Sequence, residues 1–251
     1  MHACLTRFAS RAILSLKVYE CQISVMNSRK EQLLQLIIEE YVDSTEPVGS
    51  QFLIESSDLE WSAATVRNEM RELEDTGYLT HPHTSAGRIP TEAGYRYYVD
   101  HLMSASSPKK SVARRLQESL RMSESFTEEP KAVAKQVSEL AGAAVIIALD
   151  PDTVYYTGLG NLFSQPEFFD SVRAIDISSE FDHCEEHIES IFDAVEQDQT
   201  TVLIGSEHEF GADCSLVATR LGSEALMAIV APMRMRYAQS VGLMNFLRDL
   251  L

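Results

Sequence analysis

Two apolar rhythms divide the sequence. Between Ser28 and Leu102 hydrophobic residues recur at helical spacing around one polar hairpin, and beyond Ala143 short continuous apolar runs alternate with helical stripes. In the first part, Leu33, Leu34, Ile37, Ile38 and Tyr41 form a stripe that stops before Pro47. Ser28 and Glu31 have the spacing of a capping box at its start. A short second helix is expected from Ser50, burying some combination of Phe52, Leu53 and Ile54. The third helix, Ser62–Asp75, has the clearest pattern. Ala63, Val66, Met70 and Leu73 share one face, Ser62 stands at the N-cap, and Gly77 stands where a left-handed C′ residue belongs. Tyr78–Thr80 and Arg88–Ile89 read as short strands joined by the polar turn 81–87, with Gly87 and Arg88 at the hairpin tip. Thr91 then caps a fourth helix with Tyr95, Tyr98, Val99 and Leu102 on its inner face. Three helices, a two-stranded wing and a closing helix predict a winged helix-turn-helix.

The Ser/Pro-rich stretch 104–108 reads as a linker. Helices are expected at about Lys109–Met122 and Glu128–Leu140, broken near Pro130. Ala143–Leu149, Thr201–Gly205, Ser215–Leu221 and Ala225–Ala231 read as buried or half-buried strands. Phe181, Cys184, Ile188, Ile191, Phe192 and Val195 form the apolar face of one helix between the first two. A final helix, Arg234–Leu251, buries Tyr237, Val241, Met244 and either Leu247 or Leu250. The fold class is therefore α+β, a helical unit followed by a small α/β domain containing antiparallel pairs.

Composition narrows the chemistry. With 251 residues the chain has room for two ordinary domains, and 45% hydrophobic with 24% charged residues describes an ordinary globular protein. The longest apolar run, Ala141–Leu149, is too short to cross a bilayer. Cys4, Cys21, Cys184 and Cys214 are scattered without a CxxC pair, which reads as free thiols in a reducing compartment. The net charge of −17 opposes non-specific attraction to nucleic acid, so a DNA reader must rely on a local basic footprint. Arg67, Arg71, Arg88 and Arg96 gather around the third helix and hairpin, and Lys109, Lys110, Arg114 and Arg115 follow.

The polar face of the third helix carries Ala64, Thr65, Asn68 and Arg71, with Arg67 on its flank. Asn and Arg match purine edges and phosphates, and small residues at a helix front allow close approach. Ser62, Ala64, Thr65, Arg67, Asn68, Arg71, His83 and Arg88 are the candidate DNA-binding residues. His81 and His83 flank Pro82 beside the backbone path, and Trp61, the sole tryptophan, anchors the helix start. The segment His183–His187 (HCEEH) matches the H-x-x-E-H pattern of inverted zinc peptidases, with Glu186 as base. Both histidines fall on the polar flank of a helix with no third ligand in view, so no metal site is assigned. No nucleophile elbow, Walker loop or dinucleotide fingerprint occurs, and Gly158–Gly160 reads as a turn. No catalytic residue and no cofactor are expected.

The blocks EPVGSQFL, ATVRNEMRELEDTGYL and HTSAGRIPTEAGYRYYVDHLM resemble the N-terminal domain of the heat-inducible transcription repressor HrcA family. VYYTGLGNLFSQPEF, VLIGSEHEF, SLVATRLG and APMRMRYAQSVGLMNFL resemble its second domain. The resemblance covers most of residues 29–103 and 150–251. It implies a cytoplasmic repressor of chaperone operons that binds an inverted repeat as a homodimer and is released under heat stress. It further implies a GAF-like second domain and dependence on a GroEL-type chaperonin. Relative to the family pattern the middle region is short, with Ala141–Asp150 running almost directly into VYYTGLGNL, so the second domain is expected to be reduced and the dimerisation insert missing. The expected organisation is an extension outside the fold (1–26), a winged-helix domain (27–103), a linker with helices (104–141) and a GAF-like regulatory domain (142–251). Two other readings stand beside it: a winged-helix regulator that senses a small molecule, and a zinc hydrolase built on HCEEH.

Overall fold

The computed structural model describes residues 26–57, 60–83, 87–122, 130–150, 153–222 and 225–250. The segment before Met26, the hairpin tip 84–86 and the expected helix start at Glu128 lie outside these. Met26 itself is buried in the core, although it was expected to belong to the extension.

Helix α1 (Ser28–Ser44) is capped by Asn27, one residue earlier than the Ser28 expected, and its side chain accepts the Lys30 N–H at 2.9 Å. Asn is as good a cap as Ser, and the helix takes the earlier one. In helix α2 (Ser50–Ser56), Leu53 is buried while Phe52 is 45% exposed. Helix α3 (Ala63–Asp75) starts as expected, with Ser62 Oγ accepting the Thr65 N–H at 3.1 Å. Gly77 has φ +83; its N–H donates to Glu74 O and that of Tyr78 to Leu73 O, the paired bonds of a Schellman stop.

Strands β1 (Leu79–Thr80) and β2 (Ile89–Pro90) pair antiparallel; β1 starts one residue later than expected and β2 is shifted one residue later as a whole. Arg88 is displaced from that ladder because it bridges Val48 instead, exchanging backbone bonds of 2.8 and 2.9 Å. Thr91 caps helix α4 (Glu92–Tyr97), which continues as a π-helical turn over Tyr98–Leu102. Leu33, Leu34, Ile37, Ile38, Val66, Leu73 and Tyr95 fill the centre of this unit.

Helices α5 (Lys110–Met122) and α6 (Pro130–Ala141) follow. α6 is described from Pro130 onward, so the break expected near Pro130 falls at the edge of the described residues. A five-stranded antiparallel sheet comes next, in the order β4-β3-β7-β6-β5. Its strands are β3 (Ala144–Asp150), β4 (Thr153–Thr157), β5 (Thr200–Ile204), β6 (Cys214–Leu221) and β7 (Ala225–Pro232). The strand expectations for β3, β5, β6 and β7 hold to within a residue at each end. β4 is an edge strand, half-buried along most of its length, with no continuous apolar run to mark it in the sequence. Although the middle region is short, β3 lies inside the sheet between β4 and β7, its pairing with β4 interrupted only by an irregularity between Ala148 and Asp150.

Alternate strand residues face opposite layers. Ile146, Ala148, Leu216, Ala228 and Val230 pack under the helices α7 (Leu159–Phe163), α8 (Ser171–Asp182) and α9 (Cys184–Ala194). The single helix expected there is two, broken at His183. Val145, Ile147, Val217, Met227 and Ile229 face α6, helix α10 (Tyr237–Arg248) and the N-terminal unit, in one continuous apolar cluster. α10 is shorter at both ends than the expected Arg234–Leu251; Leu247 is buried within it, and Leu250, beyond its end, is 36% exposed, which decides between them.

Candidate nucleic-acid interface

Helix α3 presents the candidate face outward. Val66, Met70 and Leu73 point into the core, so positions 64, 67, 68 and 71 fall on the opposite side, where all four are exposed. Ala64 lies at the front of this face, Asn68 one turn on and Arg71 nearly two. Thr65 is half-buried, and its hydroxyl lies 2.9 Å from that of Ser62, so these two serve the cap before any ligand. Arg67 leans toward α2, its Nε donating to Ser50 Oγ at 3.4 Å. Arg71 has a side chain 79% exposed and a loose contact with Asp75 at 3.9 Å. Trp61 is half-buried against the core at the start of the helix, as an anchor should be.

The second half of α3 is acidic, which the sequence makes look hostile to DNA. Two of its four carboxylates are engaged by other elements. Glu72 takes Lys30 of α1 at 2.6 Å, and Glu74 takes both His81 and Arg88 of the hairpin, the latter at 2.7 Å. The cations on the candidate face are Arg67 and Arg71, with the neutral Asn68 between them.

The hairpin differs from expectation. Gly87 and Arg88 sit at its base against Pro47–Val48, and Arg88 is turned to Glu74 with its side chain 24% exposed. A Cβ on Gly87 would lie 2.5 Å from Pro47 O, so this glycine exists for the strand-to-strand approach. His83 is exposed, next to the tip residues that lie outside the described chain. Arg96 leaves the basic footprint altogether. It contacts Glu207, reaches Asp100 at 3.3 Å, and donates to the Val202 carbonyl of edge strand β5 at 2.8 Å.

Arg96 is one of several ties that hold the N-terminal unit on the sheet. Ser206 donates to Glu92, Arg234 reaches Val42 O at 3.3 Å, Arg236 pairs with Asp43 at 2.9 Å, and the Tyr95 and Tyr237 rings lie 5.8 Å apart. Sequence reasoning missed Glu74 and Glu207 because a carboxylate gives no local sign that its partner is an arginine many residues away.

The zinc reading finds no geometry. His183 Nδ1 turns to Ser179 O at 2.8 Å, and His187 is held between Glu180 and Glu209 at 2.8 and 2.6 Å. Among the described residues no three potential ligands converge. Cys184 and Cys214 are buried free thiols, pushed up to about 12 by burial and so kept protonated. Among the described residues no helix is long and apolar enough to cross a membrane.

An α+β chain with a helix-and-hairpin unit tied to an antiparallel sheet is the class of protein these features define. Residues 100–241 match the family model described as the HrcA protein C terminal domain, more than half of the chain. The chain belongs to the HrcA family. It is 43% identical over 121 residues to the heat-inducible transcription repressor HrcA of Bifidobacterium longum (strain DJO10A), covering 48% of this chain and 32% of that relative. Over 78 residues it is 58% identical to the protein of the same name from Alkaliphilus metalliredigens (strain QYMF), covering 31% of this chain and 23% of that one. The chain thus spans about a third or less of the length of the curated relatives it matches. A crystal structure of a hypothetical protein at 2.2 Å resolution shares the fold, with a TM-score of 0.69 and 17% identity, over 90% of this chain and 100% of that one.

Proposed function

We propose that this chain is a sequence-specific, DNA-binding transcriptional repressor of heat-shock operons. In this reading residues 27–103 form a winged helix-turn-helix, α3 enters the major groove, and residues 142–251 form a GAF-like regulatory domain. Asn68 and Arg71 read base edges from the front of α3, Ala64 and Thr65 make close contacts, and Arg67 grips a phosphate. Ser62 holds the helix start, and His83 and Arg88 belong to the wing. The operator is an inverted repeat bound by a homodimer in the cytoplasm, and heat releases it through a GroEL-type chaperonin. The observation that carries the reading is the exposed face Ala64–Arg67–Asn68–Arg71 on a capped helix, with Glu72 and Glu74 of its acidic half engaged by other elements. The relatives' names support it, since they describe transcription repressors and no enzyme.

A gel-shift titration with the chaperone-operon inverted repeat against a scrambled duplex tests it. The chain should shift the first at concentrations that leave the second free, and Trp61 emission should respond in parallel. Equal affinity for both, or none for either, sinks the proposal. A cleft of about 140 Å³ lies at the junction of the two halves, lined by Val42, Leu140, Arg234, Arg236, Gln239 and Leu243, and it is smaller than a pocket that encloses a typical metabolite. A metabolite that raises the melting temperature and weakens operator binding would support the small-molecule alternative.

A further inference from the structure

We propose that helices α5 and α6 form a second DNA-contact surface, one that grips phosphates without reading bases. This rests on the DNA-binding reading above. In the N-terminal unit the exposed arginines outside a close ion pair are Arg29, Arg67 and Arg71, and the other basic side chains near α3 are held by carboxylates. Arg88 is committed to Glu74, Arg96 to Glu207 and Lys30 to Glu72, and Arg71 has Asp75 nearby. A chain of net charge −17 is repelled by a duplex unless phosphates are neutralised by cations concentrated elsewhere.

That concentration exists. Seven of the 21 Lys and Arg residues fall between Lys109 and Lys135, against four of the 38 acids. Lys109, Lys110, Arg114 and Arg115 at the start of α5 and Lys131 and Lys135 on α6 are all exposed, and the two helices pack together. Lys110 and Arg114 are one turn apart, away from buried Leu116; Lys131 and Lys135 are one turn apart on α6, whose Val133 and Val137 are buried. The exposed acids on these helices are Glu118, 2.7 Å from Arg114, and Glu139. An exposed pair of that kind is weak and exchanges readily for a phosphate. Lys131 lies over the Tyr155 ring at 4.9 Å, which gives its ammonium a set position.

The surface is also held in place. Ser106, in the segment leading into α5, donates its N–H to Ala238 O at 2.9 Å, and its backbone leaves no room for a side chain at Gly242 of α10. Lysines rich in charge and poor in planar donors bind phosphate as point charges, which fits a backbone grip and not base readout.

The test is equilibrium binding of the full chain across a salt series. One duplex carries the inverted repeat with flanking DNA, and the other is an unrelated duplex of equal length. The variant Lys110→Ala/Arg114→Ala/Lys131→Ala/Lys135→Ala should weaken both by the same factor and leave their ratio unchanged. Its plot of log affinity against log salt should be shallower by roughly 3–4 units, about 0.9 per lost contact. The same four positions as all-Lys or all-Arg should keep the wild-type slope. An unchanged slope, with wild type still binding the operator, overturns this inference alone. A changed ratio overturns its claim to be sequence-independent. Wild type that binds neither duplex overturns the DNA-binding reading beneath it. If the quadruple variant melts early, Lys110→Ala and Lys135→Ala singly replace it, each expected to remove about 0.9 from the slope.

Discussion

Glu74, at the end of α3, and Arg88, at the base of the hairpin, are joined by an ion pair of 2.7 Å, with side chains only 21% and 24% exposed. The same carboxylate contacts His81, so one acid fixes both limbs of the hairpin against the helix. A pair this sheltered is worth more than a surface bridge, because removing one partner strands the other in partial burial. Glu74→Gln should therefore lower stability by on the order of 1–2 kcal/mol, read by thermal or urea unfolding. A melting curve that overlays wild type would remove this clamp from the account of how the hairpin is held.

Gly87 is a sharper case. A Cβ there would lie 2.5 Å from Pro47 O and from Val48 C, both backbone atoms that cannot swing away. The Val48–Arg88 bridge would have to open, with its two backbone bonds. Gly87→Ala should cost about 1–3 kcal/mol and weaken operator binding in proportion to the unfolded fraction. Gly160→Ala is the control: it lies in helix α7 with nothing within 4 Å of its Cβ, so it should be neutral or slightly stabilising. Equal melting temperatures for the two variants would contradict the close approach.

Local signals were the legible part of this chain. The Ser62 cap, the Gly77 stop and the Val66–Met70–Leu73 stripe are written within a few residues of one another, and α3 is where they predict it. The strands of the sheet core were legible because burial on both faces makes each one a continuous apolar run. β4 was not, since an edge strand with one covered side reads as loop. The fates of Arg88 and Arg96 were also illegible. Each looks like an exposed arginine in sequence, and each is claimed by a carboxylate that the tertiary fold brings in, Glu207 lying 111 residues from Arg96. The candidate face survives this because α3's pattern is local, while the basic footprint around it does not.

That face yields the most direct functional prediction. Asn68 and Arg71 are exposed on the side of α3 opposite its buried stripe, and neither supports the core. Asn68→Ala and Arg71→Ala should each cost about 1–3 kcal/mol of specific binding with no loss of stability. Arg67→Ala should instead weaken operator and unrelated DNA alike. Competition gel shifts with both duplexes separate the two outcomes, and full operator affinity in the Asn68 variant would remove that residue from the reading set.

His208 gives a pH dependence with a definite sign. Its Nδ1 accepts the Phe210 N–H and its Nε2 donates to Cys214 O, both at 3.1 Å, an arrangement that suits only the neutral ring. Burial lowers its pKa to about 4 from the ordinary 6.5, against a smaller upward pull from the Cys214 carbonyl. The unfolded chain therefore takes up a proton near pH 6.5 that the folded chain refuses until about pH 4. The stability this group contributes is full above pH 6.5 and is lost as pH falls toward 4, on the order of 2–3 kcal/mol in total. His183 titrates in the opposite sense, since its bond to Ser179 O raises its pKa, so the two must be separated by mutation. Urea unfolding from pH 7.5 to 5 should show stability falling in wild type. In His208→Gln the slope should be smaller, whatever the variant costs at pH 7.5, because the titrating group is gone. An identical slope in the two proteins would mean that His208 is not the group that senses acid.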